Sequence, residues 1–185
     1  MGRFRPMLIC LLCLLVACAP KTVGVANPVD NLPSRLAMTQ IAMETGDPVA
    51  PPAALSERLE AQLKRNGYAV TTIPIDGLPA DFARRRLPTH RAAAIGEQGD
   101  GLVVLVESVA RFYSQLRGQY RWEVSVEATL MHPSKPEEAI VEQFEIPVFL
   151  RFQHEQEAEA LSAAGAEIER RLQRLLDDVA PLSGP

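Results

Sequence analysis

The side chains of this 185-residue chain that could do chemistry are few: three cysteines, three histidines, and carboxylates and arginines scattered along its length. Cys10-x-x-Cys13 spells a redox dithiol, but such a pair works at the start of a helix after a strand, where the thiolate is stabilised. Here both cysteines lie inside Met7 to Ala17 (MLICLLCLLVA), a wholly apolar run. His90, His132 and His154 have no partner at metal-ligand spacing, neither HxH nor HExxH, and read as surface histidines. Glu107, Glu127 and Glu142 fall in strand-like segments, where alternation explains them as wet-face or edge positions. The sequence contains no Gly-rich phosphate loop, nucleophile elbow or dinucleotide fingerprint. The expectation is therefore a protein that is not an enzyme, with no catalytic residue, no metal and no cofactor. One basic cluster, Arg84-Arg85-Arg86 with Arg91, could contact an anion or a lipid headgroup, because guanidinium groups bind phosphate bidentately. The alternative is a solvated turn in an acidic protein.

Cys18 stands in a different setting. Met1 to Pro6 carries Arg3 and Arg5, the apolar run follows, and the small residues Ala17, Cys18 and Ala19 close it. That is the three-part layout of a secretory signal peptide. Eleven residues at about 1.5 Å each span roughly 16 Å, about half a hydrocarbon core, so the run is too short to cross a membrane comfortably. Leu15-Val16-Ala17-Cys18 resembles the lipobox of bacterial prolipoproteins. The resemblance implies cleavage just before Cys18, a diacylglycerol on its sulfur, and a new N-terminus at that residue. Two or three acyl chains make such attachment effectively permanent, where one is marginal. Ala19 stands where an Asp would favour inner-membrane retention in enteric-type lipoproteins, so the same resemblance implies the outer membrane, facing the periplasm. The alternative is ordinary cleavage after the triplet Ala17-Cys18-Ala19. Pro20 would then follow the cut, and ordinary signal peptidases tolerate it poorly.

With Cys10 and Cys13 discarded and Cys18 acylated, the mature chain has neither a free thiol nor a disulfide, and its stability must come from a packed core. The organisation read from this is residues 1–17 as signal peptide, 18–34 as acylated N-terminus and flexible tether, and 35–180 as a single domain. The tether holds Pro20, Gly24, Pro28 and Pro33 with little periodicity. Some 15 flexible residues span roughly 20 Å, which keeps the domain near the bilayer. Loss of Arg3 and Arg5 leaves 17 basic and 23 acidic residues, a formal charge near −6. That balance argues against nucleic acid and against a broad anionic-lipid surface.

The domain itself reads as α/β of the α+β kind, a mixed sheet with helices packed on one face. A strand near Arg35 to Met43 precedes Pro51-Pro52 and a helix from Ala53 to Asn66, with Leu55, Leu59 and Leu63 on one stripe. Gly67 suits a left-handed C′ position and Tyr68 the apolar residue after it. Tyr68 to Ile73 reads as a second strand, giving a βαβ start with parallel pairing. From Asp76 to Gly101 the pattern suggests helical pieces at Ala80 to Leu87 and His90 to Gln98, interrupted by Pro88. Three long strands follow between Leu102 and Phe152, turning at Arg117-Gly118-Gln119 and at Pro133-Ser134-Lys135-Pro136, as an antiparallel meander. An amphipathic helix from Glu155 to Val179 closes the domain. Trp122, Val124, Leu150, Ile168 and Leu172 are the expected core. The first meander strand is apolar on both sides, with Val103, Leu105, Val109 and Tyr113 on the second face. That face must be covered by the Asp76 to Gly101 segment or be a partner surface.

This order of elements behind a lipobox resembles the YajG family of bacterial lipoproteins. More loosely it resembles the transport-accessory lipoproteins and the N-terminal domain of the periplasmic protein TolB. The resemblance covers Arg35 to Val179 and is carried by Leu55-Ser56-Glu57-Arg58-Leu59-Glu60-Ala61-Gln62-Leu63-Lys64-Arg65-Asn66-Gly67-Tyr68, the long hairpin around Gln115 to Tyr120, and the C-terminal helix. The Asp76 to Gly101 region is longer than in that family. The likeness implies a periplasm-facing structural or assembly role, with the membrane contacted through the lipid anchor and an envelope protein, or a second copy, as partner. The other function considered is a carrier of lipid or another amphiphile between sheet and helices, which would need a concave apolar pocket.

Overall fold

Leu102–Leu116 is the strand around which the protein is built, because its first half is apolar on both faces and must be covered twice. In the computed structural model, which describes residues 36–44, 47–98, 101–151 and 156–179, it is the fourth of six strands. In chain order the elements are β1 (Leu36–Glu44), β2 (Asp47–Val49), α1 (Ala53–Arg65), β3 (Val70–Thr72), α2 (Pro88–Gly96), β4 (Leu102–Leu116), β5 (Gln119–Met131), β6 (Ile140–Leu150) and α3 (Glu157–Val179). Leu15, Val16, Ala17 and Cys18, the tether, Phe152 and His154 lie outside the described residues.

The sheet runs β2-β1-β4-β5-β6, with β3 beside β1 as well. β1 pairs in parallel with β3 and β4, which makes the βαβ start, and the β4-β5-β6 meander is antiparallel. Local chemistry explains the joints. α1 ends in a Schellman turn: Tyr68 N–H donates to the Leu63 carbonyl at 3.1 Å and Gly67 N–H to the Lys64 carbonyl at 3.0 Å, while Gly67 takes φ +88°. The β4-β5 hairpin turns on two residues, Arg117 at φ +51° and Gly118 at φ +79°, between the paired Leu116 and Gln119. Two positive φ values match the right-handed twist of the flanking strands.

Even-numbered β4 residues Leu102, Val104 and Val106 join Val124, Val126, Ile146 and Val148 under α1 and α3. The helices contribute Leu55, Leu59 and Leu63 from one, and Leu161, Ile168, Leu172 and Leu175 from the other. A polar seam holds the two helices together, with Arg58 and Arg65 on Glu169 at 3.1 and 2.6 Å, and Gln62 and Asn66 on Gln173. On the opposite face, Val103, Leu105, Ile41 and Met131 pack against Phe82, Ala92 and Ile95 of the Asp76 to Gly101 segment. Internal cover by that segment therefore holds for the first half of the second face.

Several expectations need correction. The Ala80 to Leu87 piece is not an α-helix but a single 3-10 turn at Phe82–Arg84, and Pro88 does not interrupt a helix but begins α2. Proline at the first helical position lacks only an N–H that would have no helical partner there. The second strand shrinks to Val70–Thr72, and β2 is an extra three-residue strand whose Pro48 hid it. Trp122 is half-buried rather than buried, unlike Val124, Leu150, Ile168 and Leu172. The physical reason is length. From Leu102 to Leu116 the strand climbs about 48 Å at ~3.4 Å per residue, while the 23 residues of α3 cover about 34 Å at ~1.5 Å each. The outer end of the meander overhangs its helices.

Candidate functional site

Glu107 breaks the apolar run of β4, and the register puts it directly opposite Glu127 on β5, which in turn faces Gln143 on β6. Parity places all three on the α2 side of the sheet. Arg91, in the first turn of α2, meets them there. Its Nε and Nη2 donate to one Glu107 carboxylate oxygen at 2.9 and 2.8 Å, and Nη2 also donates to Glu127 at 2.7 Å. Its Nη1 donates to the Arg85 carbonyl at 2.8 Å and the Arg86 carbonyl at 3.2 Å. Gln143 donates to the other Glu127 oxygen.

Glu107 is 6% exposed. Burial raises its pKa above the ordinary glutamate range, opposed by the hydrogen bond and charge of Arg91 and assisted by the negative charge of Glu127. One guanidinium thus bridges two carboxylates, and all three of its nitrogens donate to carbonyl or carboxylate oxygens, which fixes α2 to the sheet. Among the described residues no group of three His, Cys, Asp or Glu side chains could hold a metal.

Beyond the clamp no element among the described residues covers the α2 side of the sheet. An open concavity of about 680 Å³ begins at Met43, Arg91 and Glu107 and continues over Val109, Ser125 and Glu145. Past it the strands run out into the overhang, where Phe112 (54% exposed), Tyr113 (60%) and Phe149 (52%) are open to solvent. A register shift between Phe112 and Ser114 makes Tyr113 the extra residue of a bulge. The Phe112 ring meets Trp122 edge-on at 5.8 Å, and the Arg121 guanidinium lies 4.4 Å from the Tyr113 ring centre.

The four arginines proposed from sequence for an anion are not assembled into one site. Arg91 is turned inward to two carboxylates, and Arg85 pairs with Asp81 at 3.1 Å. Arg84 and Arg86 are exposed. Of the histidines, His90 is exposed and His132 holds Ser134 through Nδ1 at 2.7 Å. Glu142 points to the helix side, where Arg171 reaches it at 3.3 Å. Glu107 was read as a wet-face position, and the structure corrects this: it is buried and paired. A carboxylate inside a run as apolar as LVVLV-E-SVA needs a buried partner, and that was the available signal.

No helix among the described residues is long and apolar enough to cross a membrane. No family model matches the chain, and no curated protein matches it significantly. Solved structures that match include a provisionally assigned lipoprotein of Caulobacter crescentus, at 15% identity and TM-score 0.44, covering 86% of this chain and 99% of that one. Lipoprotein GNA1162 of Neisseria meningitidis matches at 12% identity and TM-score 0.44, over 77% of this chain and 99% of its own. Rare lipoprotein B of Shewanella oneidensis matches at 13% identity and TM-score 0.32, over 80% and 89% respectively.

Proposed function

We propose that this protein is a lipoprotein of the bacterial envelope, anchored by acyl chains on Cys18, facing the periplasm from the outer membrane, and serving as a structural or accessory subunit of an envelope or transport complex. The observation that carries the anchor is Leu15-Val16-Ala17-Cys18 at the end of a short apolar run, 18 residues before β1 begins. Folded domain and acylation point are separated by a tether of limited reach. The second half of the sheet, uncovered among the described residues, offers the docking surface.

The carrier reading has less support. The concavity on the α2 side has a charged floor of Arg91, Glu107 and Glu127, which would strip water from ions to admit an acyl tail. Metabolic labelling with a fatty-acid analogue, followed by membrane fractionation, tests the anchor. The wild type should be labelled and sediment with membranes, and Cys18→Ser should lose the label. Equal label in both would contradict acylation at Cys18. A mild-detergent pull-down with mass spectrometry separates the two roles, since a docking subunit brings down protein and a carrier brings down lipid.

A further inference from the structure

The overhang brings together exposed apolar side chains and positive charge. Of the five large apolar side chains most open to solvent among the described residues, Phe112, Tyr113 and Phe149 are here, with Tyr120 and Trp122 half-buried beside them. The same stretch, residues 111–123 and 147–151, carries Arg111, Arg117, Arg121 and Arg151 against one acid, Glu123. In a mature chain with a formal charge near −6 this is a local reversal of sign. Net charge disfavours a broad contact with anionic lipid, but a hairpin end can act alone over a Debye length of about 8 Å.

Two of these arginines are not held by carboxylates among the described residues. Arg111 and Arg117 form no ion pair among the described residues, and Arg121 Nε and Trp122 Nε1 are buried without an acceptor there. Aromatic rings at headgroup depth with arginines reaching phosphates are the composition of an interfacial membrane contact.

We infer that the β4-β5 hairpin end, with Phe149 of β6, is a second membrane contact that docks on an anionic phospholipid leaflet. The inference rests on the anchored reading in one respect: the leaflet is the one that holds Cys18. β1 enters at Leu36 beside Leu102, at the opposite end of the sheet from the hairpin, about 48 Å away at ~3.4 Å per residue. A tether spanning roughly 20 Å allows that hairpin to touch the same leaflet when the sheet lies along the membrane.

Trp122 is the only tryptophan of the chain and sits in the contact, so it reports on it directly. The protein as processed and acylated by a bacterial host is reconstituted into dilute vesicles of phosphatidylcholine with or without about one third phosphatidylglycerol, each with brominated acyl chains that quench nearby indoles. Flotation of the vesicles reports the anchor, and quenching reports the hairpin. The expected result is flotation in both compositions, with Trp122 quenching at least twofold stronger when phosphatidylglycerol is present. The double variant Arg111→Glu with Arg117→Asn should float equally and lose that excess; asparagine suits the left-handed φ at 117, so the turn is kept. A circular-dichroism melt like that of the wild type establishes that the variant is folded. Should that variant unfold, Phe149→Ser, at an exposed position, takes its place. Flotation without quenching overturns the hairpin contact and leaves the anchor standing, as would be seen if a protein or a second copy occupied this end. Equal quenching in both lipid compositions overturns the anionic selectivity, and failure to float overturns the anchored reading instead.

Discussion

Arg91 and Glu107 show how one side chain can decide whether an element belongs to a fold. α2 is nine residues long and offers only Ala92 and Ile95 as fully buried apolar contacts with the sheet-side core. Its first-turn arginine supplies the rest. Removing one partner of a buried pair leaves an uncompensated charge, a loss of about 3 to 5 kcal/mol. Arg91→Ala should cost about 3 kcal/mol at neutral pH, measured by urea denaturation. The pH dependence follows from the raised pKa of Glu107. Folding binds that proton more tightly than the unfolded chain does, so the stabilisation is fully present below the unfolded value, about 4.3. It is lost as pH rises through the folded value. Glu107→Gln removes this slope, and the melting-temperature difference, wild type minus variant, should fall as pH is raised from 4 toward 7. A difference that grows with pH would mean that Arg91, not burial, governs Glu107. The sequence could place these residues on strand and segment, but which carboxylate an arginine 16 positions away would choose depends on a helix that begins at Pro88 rather than at His90.

At the scale of elements, the legible parts were those with long, consistent patterns. α1 with its glycine stop, the three meander strands and α3 emerge where apolar periodicity and turn residues agree. What stayed hidden was short: β2, the three-residue β3 and the 3-10 turn at Phe82–Arg84. Such pieces are set by neighbouring strands rather than by their own residues, so no local pattern marks them. The hairpin turn gives a sharp test of local chemistry. Arg117 holds a left-handed φ that asparagine adopts more readily. Arg117→Asn should therefore stabilise the domain by about 0.5 kcal/mol, whereas Gly118→Val should cost about 1 to 2 kcal/mol, because a β-branched residue resists positive φ. Thermal melts of the two variants would show shifts of opposite sign. Within the core, Ile168→Ala should cost about 2 to 5 kcal/mol, since the residue is 1% exposed between α3 and the sheet.

The whole molecule is an uneven sandwich. Among the described residues two helices cover one face, one short helix with its clamp covers half of the other, and the remaining half with the hairpin end is open. Sequence alternation foresaw that both faces of β4 needed cover but could not say how far α2 reaches, because that depends on the relative lengths of a helix and a strand in three dimensions. The open half implies that Val109→Glu with Phe149→Glu, placed beyond α2, leaves the melting temperature within a few degrees of the wild type. Unfolding by that pair would show that the second face is covered throughout. The candidate docking surfaces all depend on the domain being held at a membrane, and that depends on Cys18. Intact-mass and N-terminal peptide analysis of the protein extracted from membranes tests this most directly. The account predicts a mature chain that begins at Cys18 and carries a diacylglyceryl group on its sulfur. A chain that begins at Pro20, or an unmodified Cys18 at the N-terminus, would contradict it.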